Sequence, residues 1–250
     1  LDDSSHSSNQ AAEVRFRRVR KLIPLLLRAR WRNGVRHGVA ATVEHREVPF
    51  RDDYKTIFDV GAHHGQFTLF ALEQFPRAEI TCFEPQSEGV GKLRALLANE
   101  PRVKIQPFAL SDAAGKSELQ ISERSDSSSL LPISSKQTDA HPGTARVATE
   151  TIDVETLDGL AGLEIKRPSL LKIDVQGAEL RTLRGGQQTL AQIDDVFVEC
   201  SFVELYEGQA LADEVIALLT QSGFRLAGVF SVSQTVGGEC LQADFYFKRD

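Results

Sequence analysis

The sequence has no methionine, one tryptophan and three cysteines in 250 residues. Ordinary usage would supply about five methionines in this length, so the deficit reads as replacement at those positions rather than as chemistry. Cys82, Cys200 and Cys240 lie far apart, form no CxxC pair and have no spaced histidine partners. Such a set excludes a disulfide framework and a zinc site, and fits core thiols in a reducing, cytoplasmic setting. Long apolar runs are missing too. The longest near the start, residues 23–27, contains Pro24 and falls far short of the roughly 20 residues that cross a bilayer. The expectation is a cytoplasmic protein with neither leader nor membrane span.

The composition is 41% hydrophobic and 26% charged, as in a globular α/β chain long enough to bury a full core. Charge is uneven. Residues 11–38 hold nine bases and one acid, whereas the whole chain carries −6, which leaves −14 on the remainder. A basic segment on an acidic body docks on its own domain before it seeks an anionic membrane surface. Only Phe16 and Trp31 interleave with these bases, which argues against nucleic acid as a partner.

Residues 1–10 are rich in Ser and Asp and are expected to be disordered, and residues 11–36 read as one or two basic helices. Together residues 1–50 form an N-terminal extension or cap, and residues 51–250 form the main domain. From about Asp53, apolar runs at 56–60, 78–83, 103–110, 169–175 and 195–201 alternate with helical patterns at 66–75, 87–99, 178–191 and 209–222. That is the form of βαβ units around a mostly parallel sheet. Two last runs, 224–231 and 243–249, are joined by a Gly-Gly stretch with no room for a helix, so they pair antiparallel. The Ser- and Thr-rich insertion 113–151 begins and ends in hairpin-like strands and is placed to fold over the open face.

The site signals fall at strand ends. The first strand runs into DVGAHHGQF, residues 59–67, where Gly61 and Gly65 allow close approach of backbone and ligand. His63 occupies the middle glycine's place of a dinucleotide fingerprint, which disfavours a pyrophosphate. The amides of Gln66 and Phe67, at a helix N-terminus, suit a smaller carboxylate. Glu84-Pro85 follows the second strand nineteen positions after Gly65, where an acid can grip ribose hydroxyls. Asp174 ends the strand of LLKIDVQGAE, residues 170–179, where a carboxylate suits a sulfonium or ammonium better than a phosphate, or else caps the next helix. Glu199 ends the following strand, with Tyr206 beyond.

These pieces, with GVAATVEHREV at 38–48, ALSD at 109–112, DSSSLLPI at 126–133 and VECSFVELYEGQ at 198–209, resemble the FkbM-type methyltransferases. The resemblance implies a class I, Rossmann-like three-layer sandwich: a mostly parallel seven-stranded sheet with an antiparallel last strand, plus N-terminal helices. It implies S-adenosylmethionine as donor and O-methylation of a sugar, polyketide or similar hydroxylated small molecule. By that likeness the loop of Asp59, Gly61, Ala62, His63 and Gly65, with Gln66 and Phe67, holds the methionyl part. Glu84 and Pro85 hold the ribose, Ala109, Leu110 and Asp112 the adenine, and Asp174 the cationic end. Gln176 departs from the Glu that many relatives carry, which leaves the motif without a second carboxylate beside Asp174.

An alcohol needs a base to take its proton, and Asp174, Glu199, His64 and His45 are the candidates. A divalent ion on Asp174 and Glu199 is conceivable, but no metal site is assigned. An NAD-dependent oxidoreductase and a non-catalytic nucleotide-binding or membrane-associated module remain as alternatives. The missing middle glycine weighs against the first, and the density of polar strand ends against the second.

Overall fold

The computed structural model describes residues 27–235 and 237–249. The expected disordered start and the bases from Arg15 to Lys21 lie outside the described residues.

The core is a seven-stranded sheet in the order β3-β2-β1-β7-β8-β10-β9. Its strands are β1 (Thr56–Val60), β2 (Glu79–Phe83), β3 (Val103–Gln106), β7 (Ser169–Ile173), β8 (Asp195–Ser201), β9 (Phe224–Gln234) and β10 (Cys240–Arg249). β1, β2, β3, β7 and β8 run parallel, and β10 pairs antiparallel with both β8 and β9. The expected antiparallel closing pair is therefore present, with β10 inserted inside the edge. β1 and β7 are buried along their whole length, which is why they read as near-continuous apolar runs.

Side chains alternate between two cores, one on each face of the sheet. Ile57, Leu170, Phe197 and Tyr246 pack on one side with Trp31 and Leu69, from α1 (Ala29–Arg36) and α2 (Gln66–Gln74), and with Leu93 from α3 (Ser87–Leu96). Phe58, Leu171, Val198 and Phe245 pack on the other. There they meet Leu180 and Leu190, from α5 (Glu179–Arg184) and α6 (Gln187–Leu190), and Leu219 from α7 (Ala212–Gln221). The result is the three-layer sandwich expected. Cys82 and Cys200 are buried in these cores as free thiols, and Cys240 is half-buried.

Two expected elements are divided. The run 103–110 is not one strand: β3 ends at Gln106, and Ala109–Leu110 forms a separate strand, β4. Pro107 has no N–H to continue the ladder. The helix expected over 178–191 breaks at Gly185-Gly186 into α5 and α6. A Cβ at Gly185 would lie 2.0 Å from the Ser111 carbonyl oxygen, so the break lets this segment meet the strand end after β4.

The insertion folds as a second sheet, order β4-β6-β5, from β5 (Gly115–Ser122) and β6 (Arg146–Glu155). Between these strands lie a turn at Ser125–Ser127 and the short helix α4 (Ser135–Ala140). The insertion is fastened to the strand-end loop of the main domain. Ser134 Oγ donates to the Leu205 carbonyl at 2.7 Å, and Ile133 bridges to Tyr206.

The described part of the basic segment docks on its own domain. Trp31 is buried, and its indole N–H donates to the Leu69 carbonyl at 3.0 Å. Arg28 pairs with Glu73 and Arg30 with Glu100, each at 2.8 Å. Exposed pairs of this kind contribute at most about 1 kcal/mol each, so the buried tryptophan is the main attachment. No helix among the described residues is long and apolar enough to cross a membrane.

Candidate active site

The C-terminal ends of β1, β2, β7 and β8 open onto a cavity of about 370 Å³, a size suited to a small-molecule ligand. The DVGAHHGQF segment makes its floor. Gly61 has φ +75°, and a Cβ there would stand 1.8 Å from the Asp174 carbonyl oxygen, so only glycine lets the ends of β1 and β7 meet. The amides of Gly61 and Ala62 donate to the Phe83 carbonyl, which ties the loop to the end of β2. α2 begins after Gly65, and its first amides have no partners within the helix.

Glu84 forms the second wall and is only 5% exposed. Its Oε2 accepts from the His63 amide at 2.7 Å and its Oε1 from the Gln86 amide at 2.8 Å. Burial pushes its carboxyl up to about 7 against these two amides, which pull it down. Beside it, Pro85, Ala109, Leu110 and Leu119 give the cavity an apolar flank.

His63 joins the loop to the insertion. Gln66 Nε2 lies 3.1 Å from its Nδ1, and its Nε2 lies 2.8 Å from Ser125 Oγ. Burial, reinforced by neighbouring His64, lowers it to about 4, so it is neutral at pH 7. A donating Gln66 amide then leaves the ring proton on Nε2, facing Ser125.

The third wall is a carboxylate pair on adjacent strands. Gln176 Nε2 donates to Asp174 Oδ1 at 2.8 Å and to Glu199 Oε2 at 3.0 Å, and Gln242 Nε2 donates to Glu199 Oε1 at 2.6 Å. Burial raises both acids. Glu199 is pushed well above the usual range because Asp174, Asp244 and Glu179 add to burial, while Lys172 and Gln176 restrain Asp174. Glu199 therefore keeps its proton longer and Asp174 ionises first. The Asp174 side chain is 40% exposed, with Oδ2 4.0 Å from Lys172 Nζ. A smaller cavity of about 190 Å³ adjoins the pair and is lined by Glu44, His45 and Asp244 as well.

The expected residues His45, Gly61, Ala62, His63, Gln66, Phe67, Glu84, Pro85, Ala109, Leu110, Asp174 and Glu199 all line the main cavity. Four others do not. Asp59 is fully buried beneath the floor, where it pairs with Lys172 at 3.0 Å and accepts from Thr68 at 2.6 Å. Gly65 faces α3, where a Cβ would stand 3.0 Å from Leu93. His64 stacks on His63 but turns outward to Lys92, 3.1 Å from its Nε2. Asp112 is exposed beyond β4.

Sequence reasoning missed Lys172, Gln242 and the insertion's segment from Arg124 to Leu130, all of which line the cavity. The DSSSLLPI motif was the signal for the last of these. Trp31 and the rest of α1 contribute nothing to either cavity; the N-terminal segment reaches them through Thr42, Glu44 and His45.

Acids outnumber bases around the main cavity: Glu84, Asp126, Asp174 and Glu199 face Arg124 and Lys172, and Lys172 is already paired with Asp59. That balance fits a cation with ribose hydroxyls and not a pyrophosphate. Among the described residues, no three His, Cys, Asp or Glu side chains are grouped to hold a metal ion.

The sheet order with its single antiparallel inserted strand, and an acid at the end of β2, define a class I methyltransferase architecture. The profile described as the methyltransferase FkbM domain matches residues 59–226, and the chain belongs to that family of S-adenosylmethionine-dependent methyltransferases. It is 27% identical over 210 residues to the 2-O-methyltransferase NoeI of Sinorhizobium fredii, covering 79% of this chain and 86% of that protein. It is 27% identical over 199 residues to the 31-O-demethyl-FK506 methyltransferase FkbM of Streptomyces tacrolimicus, covering 67% of this chain and 72% of that one.

Proposed function

We infer that the chain is an O-methyltransferase for a hydroxyl of a small or medium-sized acceptor, a sugar, polyketide or similar metabolite. The observation that carries this reading is Asp174: a carboxylate open to the cavity, with one oxygen tied to an amide and the other free to accept. Two O-methyltransferases among the relatives support it.

S-adenosylmethionine supplies an electrophilic methyl group on a sulfonium. Glu84 would hold its ribose, the flank of Pro85, Ala109, Leu110 and Leu119 its adenine, and the first amides of α2 its carboxylate. Asp174 and Glu199 would face its cationic end. Asp174 Oδ2 would take the hydroxyl proton as the acceptor oxygen gains the methyl group and the electron pair of the carbon–sulfur bond stays with the departing thioether. A positioned base of this kind contributes about 10²–10⁴-fold, and alignment contributes up to roughly 7–11 kcal/mol in model systems. The insertion wall, fixed through Ser125 to His63, would limit the access of water to the reacting centre once both ligands are bound.

The test is turnover of methyl-labelled donor against a panel of hydroxylated metabolites, with the methylated atom located by NMR. A methyl ether is expected, with turnover falling about 10²-fold or more in Asp174→Asn. Transfer to nitrogen, sulfur or carbon, or full turnover by Asp174→Asn, would overturn the reading.

A further inference from the structure

Gln176 follows Asp174 by two residues, and every polar group of its side chain and its carbonyl has a partner. Its backbone has φ +53°, and Ser129 Oγ from the insertion donates to its carbonyl at 2.6 Å. Its side-chain oxygen lies 2.8 Å from the Tyr206 hydroxyl, which lies 3.1 Å from the Ser127 carbonyl and 3.3 Å from Gln137 Nε2. A phenol has one proton, and the shorter distance places it on Gln176 Oε1. The amide cannot then turn over, and both its N–H bonds point at the two carboxylates. The ring of Tyr206 is itself held close, since a Cβ at Gly177 would come within 3.1 Å of it.

We propose that Gln176 is the positioning residue of this site, an amide clamped by Tyr206 and the insertion that holds Asp174 and Glu199 in one arrangement toward the donor's positive charge. This rests on the donor placement given under Proposed function. The clamp joins three segments that are distant in sequence, so the insertion acts on the carboxylate pair through Gln176 as well as by lining the cavity.

The other charged groups around the pair are Lys172 and Asp59 below it and Glu179 on α5 behind it. Asp244, His45 and Glu44 stand on the side of the smaller cavity. Arg124 and Asp126, paired with each other at 3.2 Å, line the main one. None of these donates a hydrogen bond to both carboxylates. Removing the Gln176 amide therefore makes Asp174 harder to ionise, because a hydrogen bond to the charged form is lost.

The readout is the ratio of affinities for S-adenosylmethionine and S-adenosylhomocysteine, titrated calorimetrically from pH 5 to pH 8.5. The two ligands share ribose and adenine, so protonation at Glu84 cancels in the ratio, whereas the sulfonium charge does not. In the wild type the preference for the sulfonium falls on acidification. In Gln176→Leu and Gln176→Glu the midpoint of that fall moves up by about one pH unit or more, and in Tyr206→Phe it moves the same way by less. Gln176→Glu keeps the side chain's shape and serves if Gln176→Leu does not fold. Folded variants with an unmoved midpoint would overturn the positioning role alone. A wild type that binds neither ligand would overturn the donor placement, and this inference with it.

Discussion

Glu84→Gln separates two opposing contributions of one side chain. The buried carboxyl rises from its ordinary 4.5 to about 7 in the fold. A group raised in this way stabilises the fold below its unfolded value and loses that contribution as pH rises through the folded one. Between pH 4.5 and 8, Glu84 should therefore cost the ligand-free fold about 3 kcal/mol. The amide removes this dependence but cannot accept from both the His63 and Gln86 amides, since one side of it is now a donor. One mismatched hydrogen bond costs about 1–3 kcal/mol. The expected outcome is a variant whose thermal stability declines less from pH 5 to pH 8 than that of the wild type, since the other buried acids, Glu179 and Glu199 among them, titrate in both. Donor-site affinity moves the other way: without a charged acceptor for the ribose hydroxyls, S-adenosylhomocysteine should bind about 1.5–3 kcal/mol more weakly at pH 8. Wild-type affinity should itself improve as pH rises through 7. Calorimetric titration beside melting curves reads both effects. Unchanged affinity in a folded Glu84→Gln protein would refute the ribose assignment, and parallel pH profiles of melting would refute the electrostatic account.

Three further outcomes follow from the packing. Gly89→Ala places a Cβ 2.9 Å from Glu84 Cγ, so it should lower S-adenosylhomocysteine affinity several-fold without touching the ligand, while overpacking costs about 1–3 kcal/mol of stability. Lys172→Met leaves Asp59 buried without its counter-charge and should cost about 3–5 kcal/mol, read by urea unfolding; the double change with Asp59→Asn should recover most of it. Trp31→Ala should cost about 3–5 kcal/mol yet leave donor affinity at pH 7 within about twofold. A larger affinity loss would mean that α1 supports the cavity and not only the core.

Much of the fold was legible because parallel strands buried on both faces leave unbroken apolar runs between helical patterns. The missed details had visible causes. Pro107 ended β3, and the Gly185-Gly186 pair broke a helix that apolar spacing alone had carried through. Lys172 was also readable in retrospect. TIFDV and SLLKI each carry one charge at the fourth position, and the register pairs Asp59 directly with Lys172. Such a match indicates an ion pair beneath the site rather than a ligand contact. The direction of His63 inward and His64 outward was not legible, because it depends on φ +49° at His63, which no spacing rule supplies.

The apparent loss of an acid at Gln176 shows where a one-dimensional motif misleads. β7 and β8 run parallel with Ile173 opposite Val198, so the next residues on each strand, Asp174 and Glu199, emerge side by side. Strands about 4.8 Å apart place two such charges at a separation where repulsion is roughly 3 kcal/mol near a protein surface. A third carboxylate would add to that repulsion, whereas the amide supplies one N–H to each acid. Glu199 is raised further than Asp174, so as pH rises the Asp174 side of the pair carries negative charge first. One negative charge matches one sulfonium, and it disappears as an electrostatic partner once the methyl group has left and the ligand is a neutral thioether. On this proposal Gln176 favours binding of the charged donor over its neutral thioether product, which lets the product leave and a new donor take its place.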